Sequence, residues 1–597
     1  MKYAVRYMAM VALMSVSCFL SASEKPILLK ILFTHDLHSS FDEIRVPTEY
    51  GYVSSGGYAR LYSAICDERA DKRFTSVLLD AGDFSMGSLY QTLFMQEAAE
   101  LSLMSRMGYD GATLGNHDFD FHNEGLAKSL ETALTKNQHN IPITISNISF
   151  AHADREGLFL KEVFAKYPIE RTLLVKRKGI VIGIFGIMGK DAASDCPFVP
   201  PNFFEDQITS AQRAVADLKR QGADIIVCLS HSGTDKDRSR SEDEILAAAV
   251  PDIDVIISGH THTLLTKPII VGKTLIGSEG CYGQYLGVVE LECKKGTSCR
   301  LINYHLRPID SSLKADPSIQ KVIASYRTCV DKEYLVNYGF HFDQLLARSQ
   351  FDFQSIAQSY RLNPWETSMG NLITDADRYE VMKVEGPEGK PIDVTIQALG
   401  MIRDHFLAGP ISASDIFRSL SLGIGSDGKA GYPLVVGYVT GDELKQIVEV
   451  PPSIGPLKDD AWLQFSGLRY SFNPHAPQFK RVVSAEIVRS DGKTEPIIGK
   501  KLYRVCMNMY LLHMMDYLKA VSGGMIDIHP RDASGRVVAN WHDLIVTGSP
   551  QHAGGEIKEW MALADYLQTF PVSGSPAMPV IPERYRSVQG RAVPVAK

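Results

Sequence analysis

Five short apolar runs in the first half of the chain each end in side chains that bind metals. Ile27–Phe33 leads into Asp36-Leu37-His38, and Ser76–Leu79 into Asp80-Ala81-Gly82-Asp83. Ala112–Leu114 leads into Gly115-Asn116-His117-Asp118, Ile225–Leu229 into Ser230-His231, and Val255–Ile257 into Gly259-His260-Thr261-His262. Asp, Asn and His suit hard-to-borderline divalent ions, and these clusters contain no Cys for a thiolate site. A carboxylate that bridges two cations holds them about 3.5–4 Å apart, as in two-metal hydrolases. Asp83, in a Gly-Asp turn at a strand end, is the natural bridge. The Asp36-x-His38 and His260-x-His262 spacings place alternate residues of an extended segment on one side. Two ions so held make hydroxide available at neutral pH and neutralise phosphate oxygens as charge builds. The expected cofactors are two divalent metal ions per chain. Zn, Mn, Fe, Co and Mg all remain open, because selectivity rests on geometry and supply as well as ligand type.

Elements must carry these residues to one place. From Ile27 to about Leu306 apolar strands alternate with helix-like stretches such as Gln96–Met107, Glu124–Thr135, Ile208–Gln221 and Glu242–Val250. That alternation predicts an α/β layered domain over 27–306, with ligands gathered beyond the carboxyl ends of its strands. Residues 307–338 open on a Pro- and Asp-rich stretch and turn helical through Ser318–Tyr334, which reads as an interdomain connector. A second mixed α/β domain is expected over 339–570, and an extended Pro-, Ser- and Arg-rich tail over 571–597.

At 597 residues the chain exceeds one hydrophobic core. Apolar residues make up 45% and charged residues 22%, and the net charge of −7 comes with no long basic block, which argues against binding a nucleic-acid polymer. Lys2 and Arg6, the uncharged run Met8–Leu20 and the small residues Ser21-Ala22-Ser23 predict a signal peptide over 1–23 and export to the periplasm or the extracellular space. The alternatives are an N-terminal membrane anchor or a lipid on Cys18. No later segment is long and apolar enough to span a bilayer, so no transmembrane anchor is expected after cleavage. Among nine cysteines, Cys293 and Cys299 flank a turn-like Lys-Lys-Gly-Thr-Ser. They either bridge a hairpin or stay free.

In order and context, Thr34-His35-Asp36-Leu37-His38, Gly82-Asp83, Leu114–Phe119, the strand-end His231 and Ser258–Thr263 resemble the calcineurin-like metallophosphoesterases, in their secreted 5'-nucleotidase and UDP-sugar hydrolase branch. The resemblance implies a four-layer α/β/β/α N-terminal domain. It implies one metal held by Asp36, His38, Asp83 and His262 and another by Asp83, Asn116, His231 and His260. It gives His117 the role of facing the substrate; the adjacent Asp118 is expected to orient it and raise its basicity, as carboxylate–imidazole pairs do. His35 and His122 lie beside the motifs and receive no role.

The second half resembles the 5'-nucleotidase C-terminal domain. Glu366–Leu372 with Asp375-Ala376 looks like its opening motif, Gly400-Met401-Ile402-Arg403 like its Gly-Gly-Ile-Arg turn, Tyr438–Leu444 like its Thr-Gly helix start, and Gln464–Gly467 like a further strand motif. Several substrate contacts depart from the pattern. Trp365 stands where Arg is usual and Ala398 where Asn is usual, and no pair of base-stacking aromatics is visible, leaving Arg403 as the phosphate contact and Tyr432, Tyr470 and Tyr510 as candidates to stack on a ring. The implied activity is attack of metal-bound hydroxide on the phosphorus of a small nucleotide. Alternatives are the same chemistry on UDP-sugars, cyclic nucleotides or another phosphomonoester, or a surface binding protein without activity. Oligomeric state is not legible.

Overall fold

The computed structural model describes residues 26–196, 199, 202–295, 299–458, 461–548 and 555–595. Expectations for residues 1–23, including Cys18, lie outside the described residues. The apolar runs of the first half form two sheets stacked face to face. In the seven-stranded sheet, Ile27–Thr34 pairs in parallel with Thr75–Asp80 and antiparallel with Tyr285–Cys293, and Gly111–Ala112 lies beyond Thr75–Asp80. In the six-stranded sheet, Ile225–His231 lies between Ile180–Met188 and Val255–Ser258, all in parallel, and Thr274–Gly277 follows.

Side chains alternate across each strand, and here both faces are covered. Leu29, Ile31, Phe33, Val77 and Leu79 meet Ile184, Val227, Leu229 and Ile257 between the sheets. Leu32 and Leu78 turn the other way, into a core shared with the helices Tyr58–Ala70, Ala99–Met107 and His122–Lys136. Phe185, Ile226, Cys228 and Ile256 back onto the helices Gln207–Arg220 and Glu242–Ala249. The result is the four-layer α/β/β/α domain that the motifs implied, and burial on both faces explains why the strands read as continuous apolar runs. Burying one such aliphatic side chain contributes about 1.5–3 kcal/mol. The sandwich therefore fixes the strand ends that bear the ligands.

A disulfide joins Cys293 to Cys299 at the end of the hairpin formed by Tyr285–Cys293 and Arg300–Pro308. The connector helix spans Pro317–Glu333, capped by Asp316 with Pro317 in its first turn, and buries Ile319, Ile323, Tyr326 and Val330. Just beyond it, the Tyr334 hydroxyl donates to the Ala430 carbonyl and accepts from Trp560 Nε1, which ties the connector to the second domain.

The second domain is built on a four-stranded sheet ordered Leu434–Thr440, Leu502–Asn508, Val394–Ala398, Leu463–Ser466. The helix Ser368–Glu385, capped by Thr367, and the helix Glu559–Leu567 pack beside it. The extended tail expected beyond residue 570 is instead part of this domain. Ala592–Pro594 adds a parallel strand to Leu468–Phe472. Buried Glu366 accepts the backbone N–H groups of Gln589, Arg591 and Ala592. Three convergent donors on a buried carboxylate make a strong local anchor, so the Glu of the opening motif serves the fold. No helix among the described residues is long and apolar enough to cross a membrane.

Candidate metal centre

The seven expected ligands converge beyond the strand ends, at the edge shared by the two sheets. His38 Nε2 lies 3.8 Å from Asp36 Oδ1, 3.8 Å from Asp83 Oδ2 and 3.0 Å from His262 Nε2. His262 Nε2 lies 3.5 Å from Asp36 Oδ1. On the other side of Asp83, His231 Nε2 is 3.2 Å from Asp83 Oδ2 and 3.2 Å from Asn116 Oδ1, and His260 Nδ1 is 3.1 Å from Asn116 Oδ1. Asp83 thus belongs to both groups.

The proton positions test whether cations fit. His231 Nδ1 meets the Ala81 carbonyl at 2.8 Å, and His38 Nδ1 meets the Met86 carbonyl at 2.8 Å. A carbonyl only accepts, so Nδ1 of each ring is a donor and Nε2 is the inward nitrogen, the one a cation would take. Burial lowers the His231 pKa, but the Asp83 carboxylate outweighs it and raises the ring to about 10, so without a cation Nε2 keeps a proton directed at Asp83 Oδ2 and Asn116 Oδ1, each 3.2 Å away. A divalent ion would displace that proton and take Nε2 with the same oxygens, and this donor set fits two such ions.

The backbone is strained by this convergence. Five of the seven ligands adopt left-handed conformations: Asp36 (φ 49°), His38 (49°), Asp83 (56°), His260 (72°) and His262 (51°). Such residues cost of order 1–3 kcal/mol each and cluster at functional sites. This corrects the expectation of extended alternation at Asp36-x-His38 and His260-x-His262, because both segments lie past their strands and turn sharply. The motif glycines follow from the same crowding. A Cβ on Gly82 would come within 2.6 Å of Gly115 N, and one on Gly115 within 2.1 Å of Asp83 Oδ1. The Gly-Asp and Gly-Asn-His-Asp loops touch backbone to backbone.

His117 lines the cleft beside Asp83 and Asn116. Its Nδ1 lies 2.9 Å from Asp120 Oδ2. Burial pulls its pKa down, but the carboxylates of Asp120 and Asp83 outweigh this and hold it above its ordinary value. The expectation that Asp118 orients His117 is overturned. Asp118 accepts from the backbone N–H groups of Asp83, Ser85 and Gly115 and from the Ser85 hydroxyl. It braces the two ligand loops, because its place in the short 3₁₀ turn Asn116–Phe119 directs it back toward Gly115. Asp120 lies three residues after His117 and one turn onward, a spacing that brings side chains together. That spacing is the sequence signal for the true partner of His117.

The second domain closes the other wall of a cleft of about 1440 Å³. Arg403 follows the short turn Leu399–Met401 and lines the cleft together with His117, His260 and His262. Tyr432 and Tyr510 line the same cleft, their ring centres 5.9 Å apart at 45°. Tyr470 does not reach it and packs in the core against Phe465 and Phe472. Trp365 packs edge-on against Trp462 and Phe472 and does not line the cleft. Across the cleft rim, Lys458 of the second domain pairs with Asp195 of the first at 2.7 Å.

Residues 29–264 match the family described as calcineurin-like phosphoesterase, and residues 351–522 match the family described as 5'-nucleotidase, C-terminal domain. The chain is 26% identical over 532 residues to the 5'-nucleotidase of Diplobatis ommata, covering 84% of this chain and 85% of that protein. It is 25% identical over 505 residues to the trifunctional nucleotide phosphoesterase protein YfkN of Bacillus subtilis, covering 81% of this chain and 32% of that longer protein. The crystal structure of a 5'-nucleotidase precursor from Thermus thermophilus has the same fold, with a TM-score of 0.70 at 23% identity over 96% of this chain and all of that one.

Proposed function

The chain belongs to the calcineurin-like phosphoesterases that carry a 5'-nucleotidase C-terminal domain, and from that premise we propose that it is an exported enzyme cleaving nucleotide phosphomonoesters at a centre of two divalent ions. The observation that carries the metal centre is the convergence of Asp83 Oδ2 and Asn116 Oδ1, each 3.2 Å from the inward Nε2 of a His231 whose other nitrogen is already spent on the Ala81 carbonyl. Asp36, His38, Asp83 and His262 would hold one ion, and Asp83, Asn116, His231 and His260 the other. When bound, such ions activate water and neutralise phosphoryl oxygens.

The remaining work falls to the chain itself. With its Nδ1 held by Asp120, His117 has Nε2 left for the substrate and can give a proton to the departing oxygen. Arg403 offers a fixed fork of donors to the phosphate from the opposite wall. Asp118 keeps Gly115 and Asp83 in place, so the proton donor and the bridging ligand move as one unit.

One observation favours a second reading, the same chemistry on a phosphomonoester that carries no base, such as a sugar phosphate. A base inserted between two rings needs about 7 Å, twice an ordinary contact of about 3.5 Å. Tyr432 and Tyr510 are closer than that and form a single wall. Phosphate release from nucleotides, UDP-sugars, cyclic nucleotides and sugar phosphates, with Zn, Mn, Co or Mg added, decides between the readings. Nucleotide turnover well above the rest supports the first, and sugar phosphates as the best substrates would sink it. Export rests on the segment Lys2–Ser23 and is checked by N-terminal sequencing of the protein from the culture fractions, with a start near Glu24 expected.

A further inference from the structure

His35 precedes the ligand Asp36 and belongs to none of the ligand groups, yet it is fully buried and bonded on both ring nitrogens. Its Nδ1 lies 2.5 Å from Asp36 Oδ2. Its Nε2 lies 2.8 Å from the backbone nitrogen of Glu279, whose N–H points at it. An amide N–H only donates, so Nε2 is the accepting nitrogen and the proton sits on Nδ1. The Ser278 hydroxyl, 3.1 Å from Nε2, is itself spent on the Thr263 carbonyl. Ser278 and Glu279 follow the strand Thr274–Gly277 of the six-stranded sheet, while His35 follows Ile27–Thr34 of the seven-stranded sheet. One imidazole therefore stitches the carboxyl ends of both sheets together.

The consequence lies at Asp36. Oδ2 receives the His35 proton, and the His260 N–H lies across both oxygens at 3.0 and 3.2 Å. Oδ1 is the oxygen that faces His38 and His262. We propose that His35 is a positioning residue of the metal centre, holding Asp36 by Oδ2 so that Oδ1 is turned to the ion shared with His38 and His262. The proposal rests on the metal reading of the preceding section. It places the fixing point in the partner sheet, so the ligand geometry depends on how the two sheets are docked. Groups that orient a ligand in this way typically carry about 10- to 100-fold in metal affinity.

The test uses the full chain stripped of metal with a chelator and titrated with Zn²⁺ against a chromophoric competitor. Co²⁺ absorption serves as a second readout of ligand geometry. His35→Asn keeps a donor where Nδ1 stands. His35→Gln keeps an acceptor where Nε2 stands and loses that donor, and His35→Ala loses both. Expected are a loss of about 10- to 100-fold for one of the two ions in His35→Gln and His35→Ala, a changed Co²⁺ spectrum in both, and near wild-type binding in His35→Asn. Wild-type affinity in His35→Gln overturns the proposal. So does equal loss in His35→Asn and His35→Gln, the pattern of a merely structural residue. If His35→Ala does not fold, the Asn and Gln pair decides alone. Wild-type protein that binds no Zn²⁺ overturns the metal centre itself and this assignment with it, a result distinct from either of those.

Discussion

The two walls of the cleft are built on different principles. On the first domain, every expected ligand leaves the end of a strand whose apolar faces are buried between sheets and helices. On the second, Arg403 and the tyrosines come from turns and helices separated by long stretches of chain, and their neighbours decide which of them reach the cleft. The metal wall is therefore rigid and restricted in residue type, since few side chains bind divalent ions. The substrate wall has many chemical solutions. Substitutions on the first wall should be all-or-none, and those on the second graded.

The largest effect tests the first half of that statement. Asp83→Asn should nearly abolish hydrolysis and lower bound metal, because Asp83 Oδ2 lies 3.8 Å from His38 Nε2 and 3.2 Å from His231 Nε2, and one lost charge weakens both sides. Metal analysis of the purified variant alongside turnover checks it. Full metal content with near wild-type turnover would break the assignment of the bridge. Gly115→Ala should behave alike, since its Cβ would collide with the Asp83 carboxyl.

Next in size is His117→Ala, expected to slow turnover by about 10²–10⁴, the usual worth of a positioned acid–base group. Metal content should hold, because the His117 hydrogen bond to Asp83 Oδ1 comes from its backbone N–H, which alanine keeps. The two nearby acids separate cleanly. Asp120→Asn should reduce kcat with metals retained, through the loss of the charge beside Nδ1. Asp118→Asn should instead release metal, because it braces Asp83 and Gly115. The reverse pattern would restore Asp118 as the partner of His117.

The asymmetry between the walls also explains what can be read in the sequence. The five apolar runs, the seven candidate ligands and the helix positions are legible because burial on both faces and metal chemistry each restrict composition. Asp118 and Asp120 are not distinguished there, since both are acids beside His117 and only the 3₁₀ turn decides which one folds back. Glu366 carries a family-like pattern and Trp365 departs from it, yet Glu366 anchors residues 589–592 and Trp365 packs among aromatics. The Glu366 anchor joins residues 223 positions apart, a relation that local spacing does not record. His35 gives no local signal either, because its partner follows a strand of the other sheet, 244 residues on.

Arg403→Ala sharpens the contrast from the second wall. It should lower kcat/KM by about ten- to a hundredfold, the worth of roughly 1.5–3 kcal/mol for a charge-assisted contact. Metals should stay in place, because no ligand comes from that domain. Arg403→Lys should recover only part of the loss, since an ammonium is a point charge without the planar fork. An Ala variant equal to wild type would mean that the second domain does not grip the phosphate.

The smallest effect belongs to the tyrosine wall, and it decides whether the base is read at all. Gly423 lies flat against the Tyr432 ring, so close that a Cβ there would fall 2.1 Å from its Cζ. That side of Tyr432 is closed, and Tyr510 stands beside it at 45°. A base can therefore meet this wall from one side, and a single aromatic contact is worth about 0.5–1.5 kcal/mol. Tyr510→Ala should raise KM for nucleotides by roughly two- to tenfold, the same energy expressed as a ratio, with little change in kcat. A sugar phosphate lacks the ring and should be indifferent to the change. The comparison of the two substrates in wild type and variant is the measurement. If both respond equally, Tyr510 shapes the cleft without reading a base, and the second wall selects its substrate through the phosphate alone.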